Sequence, residues 1–185
     1  MKIERATLKD CEQIAELVWI ILEDMELSIL NDYPKKQIIN YLIQAMQDEN
    51  YRYSPRRIWV AKDNDKVVGL AASYFSKDEE IVDDAWKKIM NKEGVSNLFD
   101  DKESFAEEWY LDSLVVDNDY RGLGIAKQLI TYVCEEARES GKRTVGLNVD
   151  QKNKIAYDLY KKIGFQIVGQ KVLSNHIYHH LQIKI

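Results

Sequence analysis

The stretch LDSLVVDNDYRGLGIAKQLI, residues 111 to 130, decides the fold. Its first six residues, Leu111 to Val116, are mostly apolar and read as a strand, extended back to Trp109. An acidic turn follows, then Arg121-Gly122-Leu123-Gly124-Ile125-Ala126, and at once a helical pattern. Ala126, Leu129, Ile130, Val133 and Ala137 mark its apolar face, and the helix is predicted from Gly122 to Ser140, with Gly141 ending it. Glycines let the backbone approach a bulky anion with no Cβ in the way. The first amides of a helix are unpaired, and the helix dipole adds positive charge there. Together they make a site for a pyrophosphate. A Walker loop is excluded, because Ile125 and Ala126 follow Gly124 where Lys and Ser or Thr are required. A dinucleotide fingerprint is disfavoured, because Lys127 stands where a third small residue belongs.

Outward from this stretch the chain alternates. Thr144 to Val149 is the next strand, Asn153 to Ile163 the next helix, and Phe165 to Leu173 and Ile177 to Ile185 are closing strands. Upstream, Ile3 to Arg5 is a short strand. A helix begins at Thr7, with Asp10 three residues on as a weak capping box. Pro34 opens a second helix with Ile38, Tyr41, Leu42, Ala45 and Met46 on one stripe. Ile58–Ala61 and Val67–Tyr74 form a hairpin around Asp63, Asn64 and Asp65. Residues 77 to 105 read as a mostly helical insertion between strands. The whole, 1–185, is predicted as one domain of mixed α/β class.

Composition narrows the function. Net charge is −5, with 26 Lys and Arg against 31 Asp and Glu. That argues mildly against nucleic acid, whose phosphates demand a basic face. No apolar run reaches membrane-spanning length, and no N-terminal apolar signal core is seen, so no membrane partner is expected. Cys11 and Cys134 make neither a disulfide framework nor a metal cluster, which suits a cytoplasmic location. His176, His179 and His180 lack zinc-site spacing and are expected to be solvated strand residues; no metal is predicted.

Arg121-x-x-Gly124-x-Ala126 resembles the Q/R-x-x-G-x-G/A signature of the Gcn5-related N-acetyltransferases, the GNAT superfamily. A second match, Asn153-x-x-Ala156-x-x-Leu159-Tyr160-x-Lys162-x-Gly164-Phe165, lies one helix-strand unit downstream, where that superfamily carries it. The resemblance is close over residues 107 to 170. It implies a mixed, mostly antiparallel sheet flanked by helices, with two central parallel strands splayed apart around acetyl-CoA. The expected activity is direct transfer of the acetyl group to a primary amine, a small molecule or a protein amine, in a ternary complex.

The resemblance also assigns residues. The pantetheine arm of acetyl-CoA would pair with Leu114, Val115 and Val116. The amides of Arg121, Gly122, Leu123, Gly124, Ile125 and Ala126 would take its pyrophosphate. Asn153 would bond the pantetheine or phosphate, or serve only as a helix cap. Tyr160 matches the tyrosine that protonates the departing thiolate. For the base, Glu108 matches a known glutamate position. Asp112 shares its strand parity, and a water relay is the third choice. Other members carry the carboxylate where this chain has Tyr110. That departure keeps a competing reading open, a non-catalytic acyl-CoA-binding module; transfer of a longer acyl group is a further alternative. Two copies pairing through the C-terminal strands as a homodimer is also expected.

Overall fold

A computed structural model of the 185-residue chain describes residues 1–27, 29–95, 101–173 and 176–185. Among them one seven-stranded sheet runs in the order β1-β2-β3-β4-β5-β7-β6. Its strands are β1 (Lys2–Arg5), β2 (Ile58–Asp63), β3 (Lys66–Phe75), β4 (Trp109–Val116), β5 (Thr144–Asp150), β6 (Gln166–Leu173) and β7 (His176–Lys184). Every neighbouring pair is antiparallel except β4 and β5, which run parallel. The helices are α1 (Cys11–Asp24), a single turn α2 (Ile29–Asp32), α3 (Lys35–Ala45), α4 (Asp84–Lys92), α5 (Ile125–Glu139) and α6 (Lys154–Ile163). The mixed α/β class and the splayed central pair expected from the sequence are both present.

The two faces of the sheet carry separate cores. On one, Ile14, Val18, Leu22, Ile38 and Leu42 of α1 and α3 pack with Val60, Leu70, Ala72 and Val115. On the other, Leu129, Ile130, Val133 and Ala137 of α5 pack with Ala61, Val68, Ala71, Val145 and Leu147. Each such side chain is almost wholly buried, and removing a Leu, Ile or Val among them from water stabilises the fold by about 1.5–3 kcal/mol. The alternation of β4 follows from this: Val115 faces the first core and Val116 the second.

Two boundaries differ from the sequence expectation for a local reason. The helix predicted from Gly122 starts at Ile125, because Gly122 and Gly124 adopt φ of 78° and 77°. Those left-handed conformations cannot be continued into a right-handed helix. The insertion at 77–105 holds less helix than its composition suggests. It comprises a 3-10 turn at Ser76–Asp78, then α4, then an irregular strap over 101–108. Residues 96–100 of that insertion lie outside the described residues.

Candidate active site

β4 and β5 are bonded only at Trp109↔Val145 and Tyr110↔Gly146. Beyond them β4 continues against β3, and β5 pairs with β7 along its whole length. A wedge therefore opens between Leu111–Val116 and Leu147–Asp150. Its local cause is a bulge: Ser73 pairs with Leu111 and Ala72 with Ser113, which leaves Asp112 as the extra residue. A bulge of this kind bends its strand and sharpens the twist. The β5-facing edge of β4 from Leu111 to Val116 thus has no strand partner. Leu114, Val115 and Val116 line this edge.

The wide end of the wedge meets the glycine loop. The amides of Gly122, Leu123, Gly124, Ile125 and Ala126 bond no protein acceptor among the described residues. Gly122, Leu123 and Gly124 are exposed, and nothing lies within 4 Å of where a Cβ on either glycine would sit. Arg121 turns its Nε back onto the Val116 carbonyl at 3.3 Å, tying the loop to the strand end. Exposed donors converging on a helix start form an anion site.

On α6, Asn153 caps the helix: its Oδ1 accepts from the Ala156 amide at 3.1 Å. Tyr160 is the buried residue of that helix and packs edge-on to Phe165. Burial pushes its phenol up to about 12. Its hydroxyl meets no protein partner among the described residues. Tyr157 packs beside His179, with ring centroids 5.8 Å apart.

The carboxylates lie on the opposite face, in one hydrogen-bonded chain. Asp112 Oδ1 accepts from Arg52 Nη1 at 2.8 Å and from the Tyr74 hydroxyl at 3.2 Å; its Oδ2 accepts from the Ser113 hydroxyl at 2.9 Å. Arg52 Nη1 also donates to Glu103 Oε1 at 3.0 Å, while its Nε and Nη2 grip Asp83. The Tyr110 hydroxyl donates to Glu103 Oε2 at 3.0 Å. Asn148 Nδ2 donates to that hydroxyl at 2.9 Å and to the Glu103 carbonyl at 3.0 Å. Asn148 Oδ1 is therefore an acceptor, and His180 Nδ1, 2.6 Å away, is the donor to it. His180 Nε2 faces Glu108 Oε2 at 3.0 Å. Glu108 also accepts from Gln182 Nε2 and the Phe105 amide, each at 2.7 Å.

Burial drives the Asp112 carboxyl up to about 7; Arg52 pulls against this, while Glu103 adds to it. The parity expected of Glu108 and Asp112 thus brings both into this network, seven side chains long from Asp112 to Glu108. One sequence expectation is overturned. His180 is not solvated but fully buried, because β7 lies inside the sheet between β5 and β6 and the strap covers it. Phe105 stacks on its ring at 4.0 Å. Sequence reading also missed Arg52, Glu103 and Asn148, whose partners lie 45 to 60 residues away or on separate elements.

A cavity of about 470 Å3 opens beside this network, lined by Arg52, Glu79, Asp83, Lys87, Phe105 and Glu107 among others. Among the described residues no group of His, Cys, Asp and Glu has the arrangement of a metal site. No helix among them is long and apolar enough to cross a membrane.

An open parallel pair, a glycine loop and a helix start in this order define an acyltransferase fold. Residues 19–165 match the acetyltransferase (GNAT) family, and the chain belongs to that family. It is similar to a crystal structure described as an acetyltransferase, at 39% identity and a TM-score of 0.89, each chain covering all of the other. It is equally similar in shape, TM-score 0.89, to an N-acetyltransferase from Staphylococcus aureus Mu50, at 31% identity over 99% of this chain and 100% of that one. Among curated proteins it is 29% identical to N-acetyltransferase 8F1 of Rattus norvegicus, over 76% of this chain and 54% of that protein. The chain spans about half or less of the length of the first curated relatives it matches.

Proposed function

We propose that this chain is an acetyl-CoA-dependent N-acetyltransferase that passes the acetyl group to a primary amine by direct attack in a ternary complex. The observation that carries the reading is the wedge between β4 and β5 with free amides at its wide end. That is the shape an added strand and a diphosphate together require. Acetyl-CoA, as substrate, lays its pantetheine arm along Leu114, Val115 and Val116. Its pyrophosphate meets the amides from Gly122 to Ala126, with the Arg121 charge nearby; the Arg121 amide, expected to join them, instead donates to the Asn118 carbonyl at 3.3 Å. Asn153 keeps its cap and offers its side-chain NH2 to the arm.

Within this reading Tyr160 donates to the departing sulfur. Its raised pKa keeps the proton in place until charge develops there. Glu108 accepts from the Phe105 amide and Gln182, also contacts the His180 ring nitrogen, and is wholly buried, which suits a structural role better than a base. Asp112, beside the wedge, accepts from Arg52 and holds that guanidinium in place, which suits a positioning role. The amine approaches through the cavity floored by Arg52. A cytoplasmic setting fits two buried unpaired thiols, Cys11 and Cys134. A homodimer through the C-terminal strands fits the exposed Ile167, Val168 and Val172 on edge strand β6.

The test is release of CoA thiol from acetyl-CoA across spermidine, Nα-acetyl-lysine amide and a tetrapeptide with a free N-terminus, beside calorimetry with acetyl-CoA. Binding and turnover of at least one amine support the reading. Binding without turnover points to the regulatory module, and no binding removes both.

A further inference from the structure

Tyr110 is the last β4 residue paired with β5, and Asn148 lies two residues past its partner Gly146. The hydrogen bond between their side chains bridges the narrow end of the wedge. Glu103 sits on that bridge, its Oε2 accepting from Tyr110 and its carbonyl from Asn148. Six residue steps separate Val116 from Tyr110, about 20 Å at ~3.3 Å per residue. That is comparable to an extended phosphopantetheine arm, so an arm lying along the open edge of β4 would point its thioester toward the Tyr110–Asn148 bridge that Glu103 joins.

Resting on the transferase reading above, we propose that Glu103, carried by the strap rather than by a strand, is the catalytic carboxylate that takes the proton from the acceptor amine.

Three carboxylates compete for this role, and their surroundings separate them. An ionised carboxylate offers about four acceptor positions. Asp112 has three filled by Arg52, Tyr74 and Ser113; Glu108 has two filled by Phe105 and Gln182 and a third side occupied by the His180 ring nitrogen. Among the described residues Glu103 has two filled, by Arg52 and Tyr110. Its side chain is 17% exposed, against 1% for both of the others. It is therefore the member of the three with spare acceptor capacity and exposed side-chain surface. Its oxygens face Arg52 and Tyr110, with Asp112, Asp83 and Tyr74 grouped around the same guanidinium. Burial pushes the Asp112 carboxyl up to about 7 and leaves it almost no exposed surface, which sets it apart from Glu103.

The strap holds Glu103 in position. Glu79 accepts from the amides of Glu103 and Ser104. Lys171 Nζ bonds the carbonyls of Lys102 and Ser104 at 2.6 and 2.9 Å. Phe105 is pressed on His180, and a Cβ on Gly169 would come within 2.9 Å of its ring. A base fixed this way needs no reorganisation when the amine arrives.

The protons balance as follows. The ammonium gives one proton to Glu103, and the neutral nitrogen attacks the thioester carbonyl. The C–N bond forms as the C–S bond breaks, and the sulfur takes the Tyr160 proton. The second amine proton leaves the new amide nitrogen and restores the phenol, and Glu103 releases its proton to water.

The test is Glu103→Gln on the full chain, with whichever of the three amines above the wild type turns over. We expect kcat to fall roughly 10²-fold at pH 7, the scale of a lost general base, with KM for acetyl-CoA within about twofold. The deficit shrinks above pH 9, where more amine is already neutral. Turnover within about threefold of wild type from pH 6 to 10 overturns the proposal. If Glu103→Gln loses acetyl-CoA binding, Glu103→Ala with added formate decides: formate restores the rate of a missing base, and no restoration overturns it. Wild type silent on every amine removes the transferase reading and this proposal with it, a result distinct from an active wild type with an equally active variant.

Discussion

Gly146 and Glu108 share one volume: a Cβ built on Gly146 overlaps the Glu108 carboxylate. The strand residue must be glycine for the carboxylate to reach His180 and Gln182.

Gly146→Ala therefore expels Glu108 and leaves His180 buried without its partner. Leaving a buried polar group without its partner costs about 1–3 kcal/mol. We expect urea denaturation to show a loss of about 2–3 kcal/mol. A loss under 1 kcal/mol means that the strap adapts and Glu108 is not fixed as described.

Tyr160→Phe keeps the packing against Phe165 and removes only the hydroxyl. Acetyl-CoA affinity by calorimetry should stay within about twofold, and kcat should drop roughly 10²-fold. Unchanged turnover removes Tyr160 from the chemistry.

Asp112 gives a pH signature in stability. Its folded pKa, about 7, stands above its ordinary value of 3.8, so the folded state holds the proton more tightly. Its contribution is fully present below about pH 4 and is lost as pH rises toward and through 7, at up to about 1.4 kcal/mol per pH unit. Asp112→Asn lacks this loss. Relative to wild type, the variant should gain stability between pH 4.5 and pH 8 in denaturant titrations; a constant difference across that range refutes the shift.

Gly124 stands at φ 77° directly before α5. Gly124→Ala meets no atom within 4 Å, so its effect is backbone strain, about 1–2 kcal/mol in a left-handed conformation. Relief of that strain turns the loop amides away from their common focus. CoA should bind about tenfold more weakly by calorimetry, with no change in the far-ultraviolet circular dichroism. Equal affinity argues that those amides do not hold the diphosphate.

The segments of the proposed donor half of the site were legible in the sequence because they are local. Val116, Gly124 and Ala126 lie within a dozen residues of one another, and Asn153 and Tyr160 within one helix. Strand alternation and glycine punctuation carry that information directly. The acceptor half was not legible, because it is assembled across the chain. Arg52 reaches Asp112 over 60 positions, and His180 reaches Glu108 over 72. Alternation along β7 showed that His180 and Leu181 face opposite ways, but not that the strap covers the histidine face. Glu103 carried no sequence signal, since its position depends on a segment without regular structure.

The strap at 101–108 has a consequence for how such a protein can change over time. The groove proposed for the donor is woven from main-chain ladders that tolerate little editing. The strap is fastened mostly by side-chain clasps, Glu79, Lys171 and Phe105 among them. A short segment of that sort can be exchanged or retuned while the nucleotide-gripping scaffold stays untouched, so taste for a new amine can evolve by rewriting a handful of positions outside the sheet.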